Sequence, residues 1–467
     1  MKRVIIIGGG ISGLAAAHRL KELNPSLALT LIEASARLGG TLLTDKRGDF
    51  LLERGPDSFI SEKPEAVALA KRLGLESRLI ETNANYRRSF IVRNGRLRPV
   101  PEGFQLLAPS RLWPFITSDI FSVTGKARMA ADLFLPRRSA NGVADESLAS
   151  FVRRRLGREA LERMAQPMVG GIYTADPETL SLRATLPRFL DMERDHRSLI
   201  LAMLRKARSQ QPAEKSGTSG ARYGLFLSFD TGMEVLVQAL ARAIEKCDVR
   251  LNTRVTAIER ERGWLIRTTS ETLEADAICL AVPAYVAAQL LTNINQTLAS
   301  QLNQIKYAST ATINFAYRRD AIQHPLDGFG FVVPYVEKRS LIACTFSSVK
   351  FPARAPDNYV LLRAFVGGAL QPDMFALETS EMLVRVKRDL RELLEITSEP
   401  LFAEVSKWEN SMPQYSVGHL DRVQAIETQV AQLPGLALAG NAYRGAGIPD
   451  CIRSGEAAAE LLNRATA

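Results

Sequence analysis

The run from Val4 to Gly13, Val-Ile-Ile-Ile-Gly-Gly-Gly-Ile-Ser-Gly, constrains what this chain can fold into more than any other stretch. Val4, Ile5, Ile6 and Ile7 are four β-branched residues in succession, as in a strand of a parallel sheet covered on both faces. Gly8, Gly10 and Gly13 follow with the spacing of a phosphate-binding turn. The first glycine permits the tight turn and the second lets backbone approach a diphosphate with no Cβ between them. The third lets a helix over Leu14 to Leu23 pack closely on the strand. With Gly9, Ile11 and Ser12, the turn would offer N–H groups and the positive end of a helix dipole to phosphates. A second strand, Ala28 to Ile32, ends at Glu33, the distance past the last glycine at which a carboxylate accepts hydrogen bonds from a ribose diol. Strand, turn, helix, strand and acid in that order predict a dinucleotide site.

At 467 residues, 46% hydrophobic and 24% charged, the chain reads as a soluble globular protein of more than one domain. No apolar run is long enough to cross a bilayer; the best, Ala277 to Leu291, is short and interrupted by Pro283. The chain opens on the nucleotide-binding strand, which predicts neither a signal nor a transit peptide. Four widely spaced cysteines (Cys247, Cys279, Cys344 and Cys451) suit a reducing cytoplasm and form no zinc motif, so no metal is expected. A net charge of +10 fits an acidic substrate, an anionic membrane face or plain solvation. Nucleic acid is disfavoured, because the basic residues are scattered and no nucleic-acid motif accompanies them.

Further along, Phe104 to Leu135 suggests broken apolar helices that cap a hydrophobic site, lie on a membrane face, or simply form core. Lys206 to Arg222 is low-complexity and predicts an exposed, mobile loop. Gly232 to Ile244 reads as an amphipathic helix and Val249 to Asn252 as a strand. A β-meander is expected to begin near Val255 and to run through Gly263 to Thr269 and Thr272 to Leu280. Thr312 to Tyr317, Leu341 to Phe346 and Val360 to Val366 predict an antiparallel sheet. Near the end, the strand Leu436 to Leu438, a glycine-rich turn from Gly445 to Pro449 and a helix from Asp450 to Arg464 form a second site where backbone N–H groups can meet developing negative charge.

After Glu33 the chain reads Glu-Ala-Ser-Ala-Arg-Leu-Gly-Gly-Thr, which resembles the flavoprotein signature of the amine oxidase, phytoene desaturase and protoporphyrinogen oxidase superfamily. Later blocks narrow the likeness. Glu53 to Ser58, Pro167 to Tyr173, His196 to Ile200, Met412 to His419 and Ala439 to Ile452 resemble, in order, motifs of protoporphyrinogen and coproporphyrinogen oxidases, nearest to the soluble bacterial branch that takes coproporphyrinogen III. The implied fold is α/β: a two-dinucleotide-binding-domain flavoprotein with an antiparallel-sheet substrate domain and a helical insertion. FAD would be held by residues 1–85, 223–300 and 405–467, and substrate by 86–103 and 301–404, with 104–222 as the helical cap.

The resemblance implies cofactor contacts from Gly8 to Gly13, Glu33, Ala34, Arg37 near the diphosphate, Gly40 and Thr41. It adds Gly55, Pro56, Asp57, Ser58, Val255 on the adenine side, and Gly447, Ile448 and Pro449. Trp408 would pack along the flavin edge. It further implies oxidation of a porphyrinogen to a porphyrin, with O₂ as acceptor, in haem biosynthesis. Lys63, Arg88 and Arg98 are candidates for the substrate propionates, against simple solvation. Gly170 and Gly171 would bring a backbone carbonyl to a pyrrole N–H, and Tyr173 would line the pocket. No catalytic acid or base stands out; His196 and His419 are proton-relay candidates whose competing reading is structural. A cytoplasmic location is implied, with peripheral contact at the membrane's inner face and transient contact with a downstream haem-pathway enzyme left open. Alternatives are protoporphyrinogen IX oxidation, another amine oxidase or desaturase, and a flavin-binding protein without turnover.

Overall fold

The structure, a computed structural model describing residues 2–138, 145–209 and 226–466, is built outward from a five-stranded parallel sheet. Its order is Asp248–Arg250, Ala28–Ile32, Arg3–Ile7, Ala277–Leu280 and Leu436–Leu438. The Val-Ile-Ile-Ile strand lies in the centre, with Val4 and Ile6 facing one apolar cluster and Ile5 and Ile7 another. Covering on both faces is what its unbroken β-branched sequence requires.

The meander expected to continue to Leu280 stops earlier. Val255–Arg260, Trp264–Thr268 and Thr272–Ala275 form a three-stranded antiparallel sheet, and the chain then breaks at Asp276. Asp276 accepts the backbone N–H of Arg3 at 2.7 Å, and Ala277–Leu280 turns into the parallel sheet. All four of those residues are fully buried, so they cannot continue a ribbon with one face in water.

A seven-stranded mixed sheet forms the second layer, in the order Phe402–Pro413, Tyr307–Arg318, Tyr359–Gly367, Ala343–Phe346, Gly330–Val332, Phe90–Arg93 and Arg96–Pro99. Its pairs are antiparallel except Gly330–Val332 with Phe90–Arg93. The helix Thr379–Leu394 covers it with Met382, Val386, Leu390 and Leu394 at helical spacing. Phe402–Pro413 pairs with Tyr307–Arg318 almost end to end, so a continuous strand runs across the boundary drawn from sequence between 404 and 405.

A helical region has its own core, including Phe104, Phe115, Phe151, Met168, Phe189, Met203 and Tyr415. The helix Leu199–Ser209 extends through Lys206, where a loop was expected, because Leu199 and Met203 anchor it on one buried face; residues 210–222 of that stretch lie outside the described residues. Phe104 to Leu135 holds the short helices Leu112–Thr117 and Val123–Ala130, which leave Trp113 and Val123 exposed. Among the described residues no helix is long and apolar enough to cross a membrane.

The C-terminal helix, Ile448–Thr466, lies on the first helix, Ile11–Leu23. They meet at Gly455, where any Cβ would collide with the carbonyl of Ser12. The two glycine turns are thereby brought to one side of the parallel sheet.

Candidate active site

The first turn is tight where it touches protein and open where a ligand would pass. A Cβ on Gly8 would collide with the Ala281 carbonyl, and one on Gly13 with the Gly8 carbonyl, whereas one on Gly10 would meet nothing within 4 Å. Gly10 is the residue just before the helix, so the space beside it faces the N-terminal N–H groups. Ile11 packs partly on the core, and Ser12 is buried beneath the C-terminal helix.

Glu33 braces this turn. Its Oε2 accepts the Gly9 N–H at 2.7 Å, and its Oε1 accepts the Ser35 N–H and hydroxyl at 2.8 and 2.7 Å. Ala34 is exposed at the lip. Thr253 and Asn252 donate their N–H groups to the carbonyls of Glu33 and Ser35, each at 2.9 Å, which brings the start of the Val255 strand to the same edge. Val255 is half-buried and packs against the neighbouring apolar cluster.

Arg37 spends its guanidinium on backbone carbonyls. Its guanidinium donates to the carbonyls of Leu38 at 2.9 Å, Leu42 at 3.1 Å and Gly40, so it shapes the Gly39–Gly40 turn from within. That turn docks on the first through Gly39 N–H to Gly9 O at 2.8 Å and a bridge between Gly10 and Gly39. Gly40 and Thr41 are exposed beside Gly10, and the Thr41 carbonyl lies where a Cβ on Gly55 would be.

The stretch Glu53 to Ser58 is held by the seven-stranded sheet. The Arg54 carbonyl accepts from the Thr312 hydroxyl at 2.6 Å and the Trp408 indole N–H at 2.9 Å. The Glu53 carbonyl accepts from Asn314 at 3.1 Å and the Gly55 carbonyl from Arg363 at 2.8 Å. Asp57 pairs with Lys350 at 3.1 Å and Arg363 at 3.4 Å, and accepts from Ser58 Oγ at 2.7 Å. Burial works against its ionisation, but the charges of Arg363 and Lys350 prevail and hold it well below the usual carboxylate range. Pro56 is exposed. Glu53 is the counter-case: burial pushes its carboxyl up to about 7, despite hydrogen bonds from Met233 N–H and the Thr44 hydroxyl, each at 2.8 Å. Trp408 therefore spends its polar edge on Arg54. Thr312, Asn314, Lys350 and Arg363 carried no local motif that would have announced them.

At the other end, Tyr415 fixes the second glycine turn by accepting the Gly445 N–H at 3.0 Å and donating to the Asn441 carbonyl. Its ring stacks on His419 at 4.1 Å. His419 is fully buried, donates Nε2–H to the Tyr443 carbonyl at 2.8 Å, and is pulled down to about 4 by burial, so its imidazole is neutral at neutral pH. His196 contacts Arg205 through Nδ1 at 3.3 Å on the half-exposed face of its helix. The last helix begins at Ile448, two residues earlier than expected, and its first bond runs from Cys451 N–H to Gly447 O at 2.9 Å. Ile448 and Pro449 are buried.

On the substrate side, the three candidate cations are all paired. Lys63 contacts Asp450 at 2.6 Å, Arg98 contacts Asp119 at 3.0 Å, and Arg88 contacts Asp327. Gly170 and Gly171 lie in the helix Gln166–Tyr173; the Gly170 carbonyl accepts the Thr174 N–H at 2.9 Å, while Gly171 is exposed and a Cβ there would reach Val332 at 3.8 Å. Tyr173 faces Tyr415 at 6.4 Å, and burial pushes its phenol up to about 12. Among the described residues no group of His, Cys, Asp and Glu is placed to hold a metal ion.

A parallel sheet feeding an open glycine turn, answered by a second glycine turn from the far end of the chain, defines a dinucleotide-binding protein of the two-domain flavoprotein type. A family model described as flavin containing amine oxidoreductase matches residues 11–463, and the chain belongs to that family. Its cofactor is therefore a flavin. Among curated proteins, coproporphyrinogen III oxidase of Bacillus subtilis (strain 168) is 36% identical over 464 residues, covering 98% of this chain and 97% of the relative. Coproporphyrinogen III oxidase of Propionibacterium freudenreichii subsp. freudenreichii is 35% identical, covering 99% and 91%. A crystal structure from Exiguobacterium sp. 255-15, provisionally assigned as a protoporphyrinogen oxidase, superposes with a TM-score of 0.88 at 33% identity over 99% of both chains.

Proposed function

We propose that the protein oxidises coproporphyrinogen III to coproporphyrin III, using FAD and three molecules of O₂ for the six electrons removed. The observation that carries this reading is its likeness to coproporphyrinogen III oxidases along 98% of its length, at 36% identity. The residues fit the cofactor: the space beside Gly10 suits a diphosphate, and Glu33 with the Val255 edge suits the ribose and adenine end. Bound flavin would supply the acceptor for hydride from a porphyrinogen bridge carbon.

In this reading the protein's own part is mainly placement. Gly8 to Gly13 hold phosphate through backbone N–H groups, with Gly40 and Thr41 closing over them. Glu53 to Ser58 and Trp408 tie the cofactor to the substrate sheet. Tyr415 sets the turn through Gly447, Ile448 and Pro449, whose helix start favours negative charge. Tyr173 and the exposed Gly171 line the approach of the tetrapyrrole. The Tyr173 phenol keeps its proton across the working pH range, since burial raises it.

The test is to add coproporphyrinogen III in air to the yellow protein and follow porphyrin fluorescence. Emission that grows with enzyme concentration supports the reading, and yellow protein without it overturns it. Protoporphyrinogen IX is the second substrate to compare, because the Exiguobacterium structure carries that assignment.

A further inference from the structure

A substrate with four propionates needs cations that are not already spent. Lys63, Arg88 and Arg98 each have a carboxylate partner. Arg188 does not. It stands in the first turn of the helix Pro187–His196, half-buried, with its guanidinium 4.9 Å from the Phe189 ring centroid. Among the described residues it makes no ion pair and donates no hydrogen bond, and its Nε is shut off from water without a partner. Burial lowers its pKa, and the nearby Tyr173 phenol opposes that shift. A half-buried guanidinium with no carboxylate beside it and a buried Nε without an acceptor has charge and donors left for a ligand.

Its position points the same way. Three residues before Arg188, the Thr185 carbonyl accepts the Tyr173 hydroxyl at 3.4 Å. Tyr173 closes the helix that holds Gly170 and Gly171, and its ring is 6.4 Å from Tyr415, the residue that fixes the second glycine turn. The charge of Arg188 thus lies beside the tetrapyrrole approach. A guanidinium is also the side chain best matched to a carboxylate, which it can bind through two parallel N–H donors.

We propose that Arg188 is a specificity-determining residue that binds one propionate carboxylate of the porphyrinogen. This rests on the proposed oxidation and names a contact within it.

The test compares holoenzyme of the wild type, Arg188→Gln and Arg188→Lys. Arg188→Gln is expected to raise KM for coproporphyrinogen III about tenfold, the size of a lost hydrogen bond to a charged group, with kcat nearly unchanged. Arg188→Lys should recover part of the loss. Fluorescence titration with coproporphyrin III should show the same weakening, whereas the tetramethyl ester, which has no carboxylates, should bind wild type and Arg188→Gln alike. Equal KM and equal coproporphyrin III affinity in Arg188→Gln would overturn the proposal. If Arg188→Gln does not fold, wild-type protein that binds the ester as tightly as the free acid overturns it instead. Wild type that oxidises no porphyrinogen sinks both readings, whereas normal turnover with an indifferent Arg188→Gln sinks this one alone.

Discussion

The turn Gly8–Gly13 and the stretch Glu53–Ser58 reach one cleft by opposite routes. The first is shaped largely by its own strand-turn-helix: Gly8 and Gly13 are glycines because backbone already fills the place of a side chain, and Gly10 because space is left open. The second has almost no local reason for its path. Its carbonyls and Asp57 are held by Thr312, Asn314, Lys350, Arg363 and Trp408, all on or beside a sheet formed hundreds of residues later. One region is a self-contained cradle, and the other is a strap that ties the cradle to the seven-stranded sheet. A glycine turn can thus be written locally, while tying it to a second sheet needs contacts between distant segments.

The sharpest break of this comparison lies within the cradle. Gly13→Val should lose folded protein outright, costing about 4 kcal/mol or more, because the new side chain strikes main chain that cannot move aside. Gly10→Val should melt within about 1 kcal/mol of the apoprotein yet purify colourless, since its Cβ enters empty space that the diphosphate needs. Similar melting for the two variants would refute the distinction between filled and open positions.

For the strap, Asp57→Asn should cost about 3–5 kcal/mol in denaturant unfolding, because Lys350 and Arg363 are left buried without their countercharge. A loss below about 1 kcal/mol would mean that the sheet does not depend on that pair. Glu53 gives a pH signature. Its carboxyl is held at about 7 in the folded chain against an ordinary 4.5, so between those values the folded state keeps a proton that the unfolded state has lost. The contribution of Glu53 to stability should be fully present below pH 4.5 and fall by about 3 kcal/mol as pH rises through 7. Glu53→Gln should flatten that decline, and an unchanged slope would remove Glu53 as its source.

The smallest effect concerns the second turn. Tyr415→Phe leaves the Gly445 N–H and the Asn441 carbonyl without their shared hydroxyl and should cost about 1–2 kcal/mol. The bound flavin spectrum should shift while the melting curve stays cooperative. An unaltered spectrum would show that Tyr415 supports stability alone.

What could be read in advance follows the same division. The parallel strand, the first turn and the acid at Glu33 are local patterns, and the structure carries them where periodicity and glycine spacing put them. The break at Asp276 was hidden because Thr272–Leu280 is apolar enough for either sheet, and pairing with Arg3–Ile7 decides it. Phe402–Pro413 crosses the expected boundary because its partner, Tyr307–Arg318, lies about a hundred residues upstream. The cations show the limit most plainly. Lys63, Arg88 and Arg98 look free in a linear sequence, yet Asp450, Asp327 and Asp119 neutralise them in space, whereas Arg188 stood out in no motif. A sequence displays charges but not their neighbours.

The contact at Gly455 against Ser12 has a consequence for biosynthesis. The strand Leu436–Leu438 and the helix that seals the opening turn are translated long after the turn itself, so a nascent chain that still lacks them would present an unfinished pocket. Cofactor capture should therefore wait for that later segment, and the early strands must avoid aggregation until it arrives.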